Sequence, residues 1–202
     1  MLKKALIGAA MIAVSTSGLA FDNGGNLVPA VKSLDGLYVG VGIISDTTRY
    51  KNVLSTNTDV GMDGSAGELF IGYAWNWYRY LYTGLEVFGQ LSSNKGLFFG
   101  FNRKQESDFG ARIMPGFRIA NSTVLFGNFG YVRTRFISND PITGRVFNLD
   151  GMQFGAGLQT KIDCNLALRG GWNINRFTNI SNRSGGLYNN QFYIDAIYQF
   201  MA

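Results

Sequence analysis

Histidine is absent from the 202 residues, which removes the side chain that most often serves as general acid, general base or proton shuttle near neutral pH. Cysteine occurs once, as Cys164, so no internal disulfide can form and no thiolate cluster is offered to a metal. Prolines number 3 beside 27 glycines, a ratio that excludes a collagenous or proline-rich chain and leaves the glycines for strands and turns. Charged residues make up only 15% of the chain and aromatics 14%, the reverse of a disordered composition. No apolar run reaches the ~20 residues that a membrane-crossing helix needs.

What is present begins with a leader-like stretch, "MLKKALIGAAMIAVSTSGLA". Lys3 and Lys4, an apolar run from Ala5 to Val14 and the small-x-small ending Gly18-Leu19-Ala20 have the order of a cleaved secretory signal. Residues 1–20 are therefore expected to be removed, with residues 21–33 forming a short periplasmic segment and 34–202 the folded domain. Removing two lysines and no acid lowers the formal charge from +5 to +3, an excess too small to imply a nucleic-acid partner.

After residue 20 the apolar residues recur at every second position, the period of a strand rather than a helix. Leu37, Val39, Val41 and Ile43 alternate with Tyr38, Gly40 and Gly42; Leu69, Ile71, Tyr73 and Trp75 alternate with Glu68, Phe70, Gly72 and Ala74. Leu81, Thr83, Leu85, Val87 and Leu91 oppose Tyr82, Gly84, Glu86, Phe88 and Gln90, and Phe109, Ala111, Ile113 and Phe117 oppose Asp108, Arg112 and Arg118. The fifth segment has apolar residues in both registers; placing Leu125, Phe129 and Tyr131 on the greasy face keeps Asn128 off it. Three further segments put Met152, Phe154, Ala156, Leu158 and Ile162, then Leu166, Leu168, Trp172 and Ile174, then Phe192, Ile194, Ala196, Tyr198 and Phe200 on that face.

Eight alternating strands suit either a soluble sandwich or lipocalin-like barrel, with the greasy face inward, or a transmembrane barrel with that face toward lipid. The second faces carry few charges among glycine, tyrosine and phenylalanine, which fits a confined polar interior better than an open solvated surface. Short connections ("NWYR", "ANS", "DCN") alternate with long polar ones at about 46 to 63, 92 to 106, 137 to 150 and 178 to 189. That alternation matches barrels with short periplasmic turns and long surface loops. The expected fold is all-β, an eight-stranded antiparallel up-and-down transmembrane barrel. In lipid its first and last strands must pair, because no backbone group can be left open. Pro115 removes one ladder donor, and a bulge near the periplasmic end is expected to accommodate it.

The segments "GLYVGVG", "GELFIGYAW", "YTGLEVFG", "ARIMPGFRI", "FGNFGYVRTRF" and "FGAGLQTKI" resemble the small outer-membrane β-barrel superfamily that includes the OmpA transmembrane domain, OmpX and the opacity-type surface proteins. The resemblance runs from about Gly36 to the end of the chain. It implies location in the outer membrane of a Gram-negative bacterium, among its lipid and lipopolysaccharide, and insertion by the barrel-assembly machinery. Tyr198-x-Phe200 looks like the aromatic-x-Phe assembly signal of that family, here followed by Met201 and Ala202 where the usual pattern stops at the phenylalanine. The chain ends with the eighth strand, so no periplasmic peptidoglycan-binding domain is expected.

An eight-stranded barrel is just wide enough for side chains to fill it. The expected lumen charges are Glu68, Glu86, Arg112, Arg118, Lys161, Arg169 and Asp195, with Glu86–Arg112 and Arg169–Asp195 pairing at mid-height. Such pairing would close the interior; charged rings can alternatively line a narrow ion path. Enzymes that the fold brings to mind use histidine, so catalysis is not expected, nor are a cofactor or a metal. "VGVGIIS" has a faint likeness to a phosphate loop, but its glycines fall on one strand face and no helix follows. The segment "SNKGLFFGFNRKQE" joins Leu97, Phe98, Phe99 and Phe101 to Lys95, Arg103 and Lys104. These residues either extend a strand pair above the membrane or form a tip for a host, matrix or lipopolysaccharide partner. The expected role is a monomeric surface barrel in envelope integrity, adhesion or antigen display, the alternative being a narrow pore or a transporter of small solutes or hydrophobic ligands.

Overall fold

The computed structural model of the protein describes residues 34–52, 60–77, 80–98, 101–120, 122–138, 146–177 and 185–200. The leader, the segment 21–33 and Met201–Ala202 lie outside them. The strands are β1 (Gly36–Asn52), β2 (Val60–Asn76), β3 (Leu81–Ser92), β4 (Lys95–Phe98), β5 (Phe101–Ala120), β6 (Thr123–Ser138), β7 (Val146–Lys161), β8 (Leu166–Phe177) and β9 (Gly185–Gln199). Strand β4 continues β3 beyond a break at Ser93–Asn94, and both pair with β2 and β5. The nine segments thus build a closed barrel of eight antiparallel staves.

Closure is made by β1 against β9, in register from Tyr38↔Gln199 to Asn52↔Gly185. This is the pairing that lipid demands, since an open edge would leave a column of unpaired N–H and C=O groups in hydrocarbon. Consecutive Cβ atoms on a strand point to opposite faces, so each stave sorts its residues by parity. On β1, Leu37, Val41 and Ile43 are exposed while Tyr38 and Ile44 are buried; on β9, Phe192, Ile194, Tyr198 and Phe200 face out while Tyr193, Asp195, Ile197 and Gln199 face in. The fifth segment follows the same parity, with Leu125, Phe129 and Tyr131 outward. At the short-turn end Tyr73, Trp77, Tyr80, Phe117, Tyr198 and Phe200 form an exposed aromatic girdle, where rings that are apolar in body and polar at one edge suit the lipid–water boundary.

The strands run longer than the sequence alternation suggests, and Pro115 is seated differently. Within the stretches expected as loops, residues 46–52, 60–63, 95–98, 101–106, 137–138, 146–150 and 185–189 are strand; β1 and β2, for example, stay in register through Thr47↔Asp63 and Arg49↔Gly61. Outward polar residues there mark the height at which the stave leaves lipid, not the end of the strand. Pro115 is accommodated without a register shift beside it. It stays opposite Thr83, the ladder to β6 skips from Ile113↔Phe129 to Gly116↔Phe126, and the irregularity falls lower, between Arg118 and Ala120. The ring faces outward on an exposed position, so the strand tolerates the missing donor by dropping a rung.

A second irregularity lies between Gln105 and Ser107, and β4 and β5 pair there one residue out of step with β3 and β5. The extra residue is Glu106, a β-bulge that resets parity. Gln105 and Asp108 therefore both point inward although they are three apart.

Candidate functional site

The interior is the only part of this barrel in which charges are held together away from water among the described residues. At mid-height five ionisable side chains converge from five staves. Arg112 on β5 donates from Nε to Glu86 Oε1 on β3 at 2.6 Å and from Nη2 to Glu68 Oε1 on β2 at 2.6 Å. Arg169 on β8 donates from Nε to Asp195 Oδ2 on β9 at 2.7 Å and from Nη1 to Glu86 Oε2 at 2.7 Å. Glu86 thus bridges both guanidinium groups, and all five side chains are at most 1% exposed.

Local sequence explains why the five can meet. Glu86↔Arg112 and Arg169↔Asp195 are direct cross-strand neighbours, and Gly72↔Glu86 and Gly42↔Asp195 place glycines beside the acids. A side chain at Gly42 would collide with Asp195 Oδ1, and one at Gly72 with the Tyr38 ring. The glycines that alternate with outward valines are thus the clearance for charged and aromatic side chains crossing the lumen. Aromatic faces complete the seating: the Arg169 guanidinium lies 4.3 Å from the centre of Phe70 and that of Arg112 4.7 Å from Phe88. These are distances at which a cation is drawn to the ring quadrupole. Tyr38 donates its hydroxyl to Glu86 at 3.1 Å, and Gln90 donates to Glu68 at 2.6 Å.

Three acids face two arginines in this group. Arg118 and Lys161 do not join it. Arg118 is opposite Val124 and Lys161 opposite Ala167, near the short turns, several rungs below. Above the group lie Asp108, which the sequence alternation sets on the inner face, and Asp46, Gln105 and Asn94, which it does not. All four are buried, and Gln105 donates to both Asp108 oxygens at 3.0 and 2.8 Å. Asp46 lies in a stretch whose polar composition suggests a loop, although Asp46 and Thr48 continue the inward parity of Gly42 and Ile44. The bulge that turns Gln105 inward has no signature in the sequence.

Outside, the long-loop end carries cations. Arg133 meets Asp150 and Arg135 meets Glu106, each at 3.1 Å and each more than half exposed on the arginine side, pairs that contribute little in water. Lys95 and Lys104 are exposed direct neighbours across β4 and β5. Arg103 is half-buried instead, its guanidinium 5.3 Å from the Phe147 ring. The side chains of Leu97, Phe98 and Phe101, and the whole of Phe99, lie outside the described residues. Tyr198 and Phe200 pack edge to face at 5.2 Å on the lipid side, and Phe200 N donates to Leu37 O at 2.9 Å, holding the C-terminal end on the first strand.

The fold is shared with solved surface proteins. The attachment invasion locus protein Ail of Yersinia pestis aligns over 82% of this chain and 99% of its own, with a TM-score of 0.51 at 14% identity. Neisserial surface protein A aligns over 82% and 97%, with a TM-score of 0.57 at 13% identity. Ail solved in complex with the heparin analogue sucrose octasulfate aligns over 82% and 99%, with a TM-score of 0.50 at 16% identity. A search of curated protein sequences finds no match. Residues 7–200 match the family model described as the outer membrane protein beta-barrel domain. The chain belongs to that family, and with it to the bacterial outer membrane.

Proposed function

We propose that the protein is a monomeric, non-catalytic surface barrel whose lumen is closed by its own ion pairs and whose work is done by the hairpins at the long-loop end. The observation that carries this reading is Glu86 bridging Arg112 and Arg169 at mid-height with no more than 1% exposure. An ion crossing here would have to displace guanidinium groups that are each held by two acids, and desolvated charges separate at high cost. The absence of histidine from the sequence supports a role without acid–base chemistry. Arg118 and Lys161 near the short turns complete the proposed lumen charge set, and Tyr198 and Phe200 would be read by the assembly machinery.

Planar-bilayer recordings on the purified, refolded protein test the closed lumen: no sustained conductance is expected, and a stable open level would overturn the reading in favour of a narrow pore. The pore keeps standing as the second reading because the mid-height acids outnumber the arginines, a bias that would favour cations.

For the exposed end, envelope integrity, display and adhesion are the roles that this architecture serves. The neighbouring Lys95 and Lys104 support an anionic partner, a phosphate of lipopolysaccharide or an acidic host or matrix chain, because like charges side by side are relieved by an anion. Replacing Leu97, Phe98, Phe99 and Phe101 together by serine is expected to lower adhesion of expressing cells to host cells or matrix, measured against an unchanged amount of folded barrel. Equal adhesion would dispose of the segment as a contact tip.

A further inference from the structure

Above the mid-height ion pairs the lumen changes character. Asp46 and Asp108 are 1% and 2% exposed, close enough for their charges to oppose one another, and neither has an ion-pair partner among the described residues. Amides surround Asp46. Gln191 is its register partner on β9 and Gly64 its register partner on β2; the space that a side chain at Gly64 would need is filled by Asn94 Oδ1. Asn189 donates from Nδ2 to Asp46 Oδ2 at 3.3 Å.

Asn94 Nδ2 gives one hydrogen to Gln105 Oε1 at 3.3 Å and Gln191 Nε2 one to Gln90 Oε1 at 3.0 Å, and the second N–H of each amide lies beside the Asp46 carboxylate. The oxygens are less well served. Asp46 Oδ1, Asn94 Oδ1, Asn189 Oδ1 and Gln191 Oε1 are buried and receive no hydrogen bond, although their residues are at most 1% exposed. Buried acceptors without donors are costly, and here they gather beside uncompensated negative charge. One cation satisfies several oxygens at once, which a single hydrogen-bond donor cannot do.

We propose that this outer layer of the lumen is a calcium site, with Asp46 Oδ1 and the amide oxygens of Asn94, Asn189 and Gln191 as ligands and Asp108 supplying the second negative charge. Carboxylate and amide oxygens are hard donors, and their irregular arrangement on flexible side chains suits calcium better than the strict octahedron of magnesium. No thiolate or imidazole is present to favour a softer metal. The site ties β1, the β3–β4 junction and β9 together where the staves have left the lipid. Asn94 continues the inward parity of Gln90 and Ser92, and the Glu106 bulge turns Gln105 inward beside Asp108.

The test is a thermal unfolding titration of the full barrel, folded in a non-ionic detergent free of lipopolysaccharide, with calcium chloride against sodium chloride of equal ionic strength. A saturable rise in melting temperature specific to calcium is expected. Asp46→Asn should weaken the half-saturation point at least tenfold, and Asn94→Ala should weaken it without altering any charge. The double variant Asp150→Asn/Asp163→Asn, which removes carboxylates from the outer surface, should titrate like the parent. Three outcomes overturn the proposal: no calcium-specific shift up to about 10 mM, beyond the weak end of extracellular calcium sites; an unchanged titration in Asp46→Asn; or loss of the shift in the surface double variant. If Asp46→Asn does not fold, an unchanged titration in Asn94→Ala overturns it equally.

Discussion

Replacing Arg169 by methionine will destabilise the barrel by about 3–5 kcal/mol, the usual cost of removing one partner from a buried ion pair, measured by urea unfolding of the protein refolded into phospholipid vesicles. Methionine nearly matches the volume of the arginine stem, so the effect isolates the charge. Asp195 is the residue left exposed to the loss: Arg169 is its only ion-pair partner among the described residues, and its Oδ1 already receives no hydrogen bond. Glu86 keeps Arg112. Adding Asp195→Asn to Arg169→Met should therefore recover a large part of the loss, because it removes the stranded carboxylate while keeping its shape beside Gly42. Glu86→Gln should cost less than Arg169→Met. Each arginine then retains one acid, Glu68 for Arg112 and Asp195 for Arg169, and two acids balance two cations. A lysine at 169 should rescue poorly, since one ammonium cannot reproduce the planar fork that reaches Asp195 and Glu86 together. If Arg169→Met falls within about 1 kcal/mol of the parent, the ordinary range for a single substitution, Asp195 has found water, and the closed lumen falls with it.

The contrast between what could and could not be read from sequence follows from the same parity. Alternation is a local property, so the outward residues of the lipid-facing stretches could be assigned from their neighbours, except in the fifth segment, where both registers are apolar and Asn128 decides, and the need to pair every backbone group in lipid implied closure without any side-chain information. Cross-strand pairs at mid-height were legible as height, not as register: Glu86 and Arg112 lie on strands joined by a long connection, and only their similar distance from the short turns at the base brings them level. The third dimension was not. That Glu86 would reach Arg169 across the lumen, with Phe70 beneath the guanidinium, depends on the width and tilt of the closed barrel, not on spacing along the chain. Asp46 was lost for a different reason. Its outward neighbours Ser45 and Thr47 are polar, and a polar strand above the membrane has no greasy face to announce it. The bulge at Glu106 was invisible because a single inserted residue shifts parity without altering composition.

Placing arginine at Ile71 will cost about 2–4 kcal/mol, the penalty for a cation at the midplane of a lipid-facing strand, while the same residue at Thr47 will cost about 0–1 kcal/mol, the value near the interface. Both side chains point outward, and both sit on regular paired strand, Ile71 opposite Val39 and Val87, Thr47 opposite Asp63 and Asn190. The difference between them is depth. A soluble barrel of the same shape would tolerate both equally, because an exposed arginine in water meets no desolvation barrier. The pair also distinguishes lipid from detergent packing: in vesicles of shorter acyl chains the Ile71→Arg penalty should shrink, since the guanidinium can reach the headgroups with less thinning of the bilayer, while Thr47→Arg stays unchanged. Equal costs for the two substitutions in thick bilayers would contradict the placement of the apolar band between the lower aromatic girdle and Ile43.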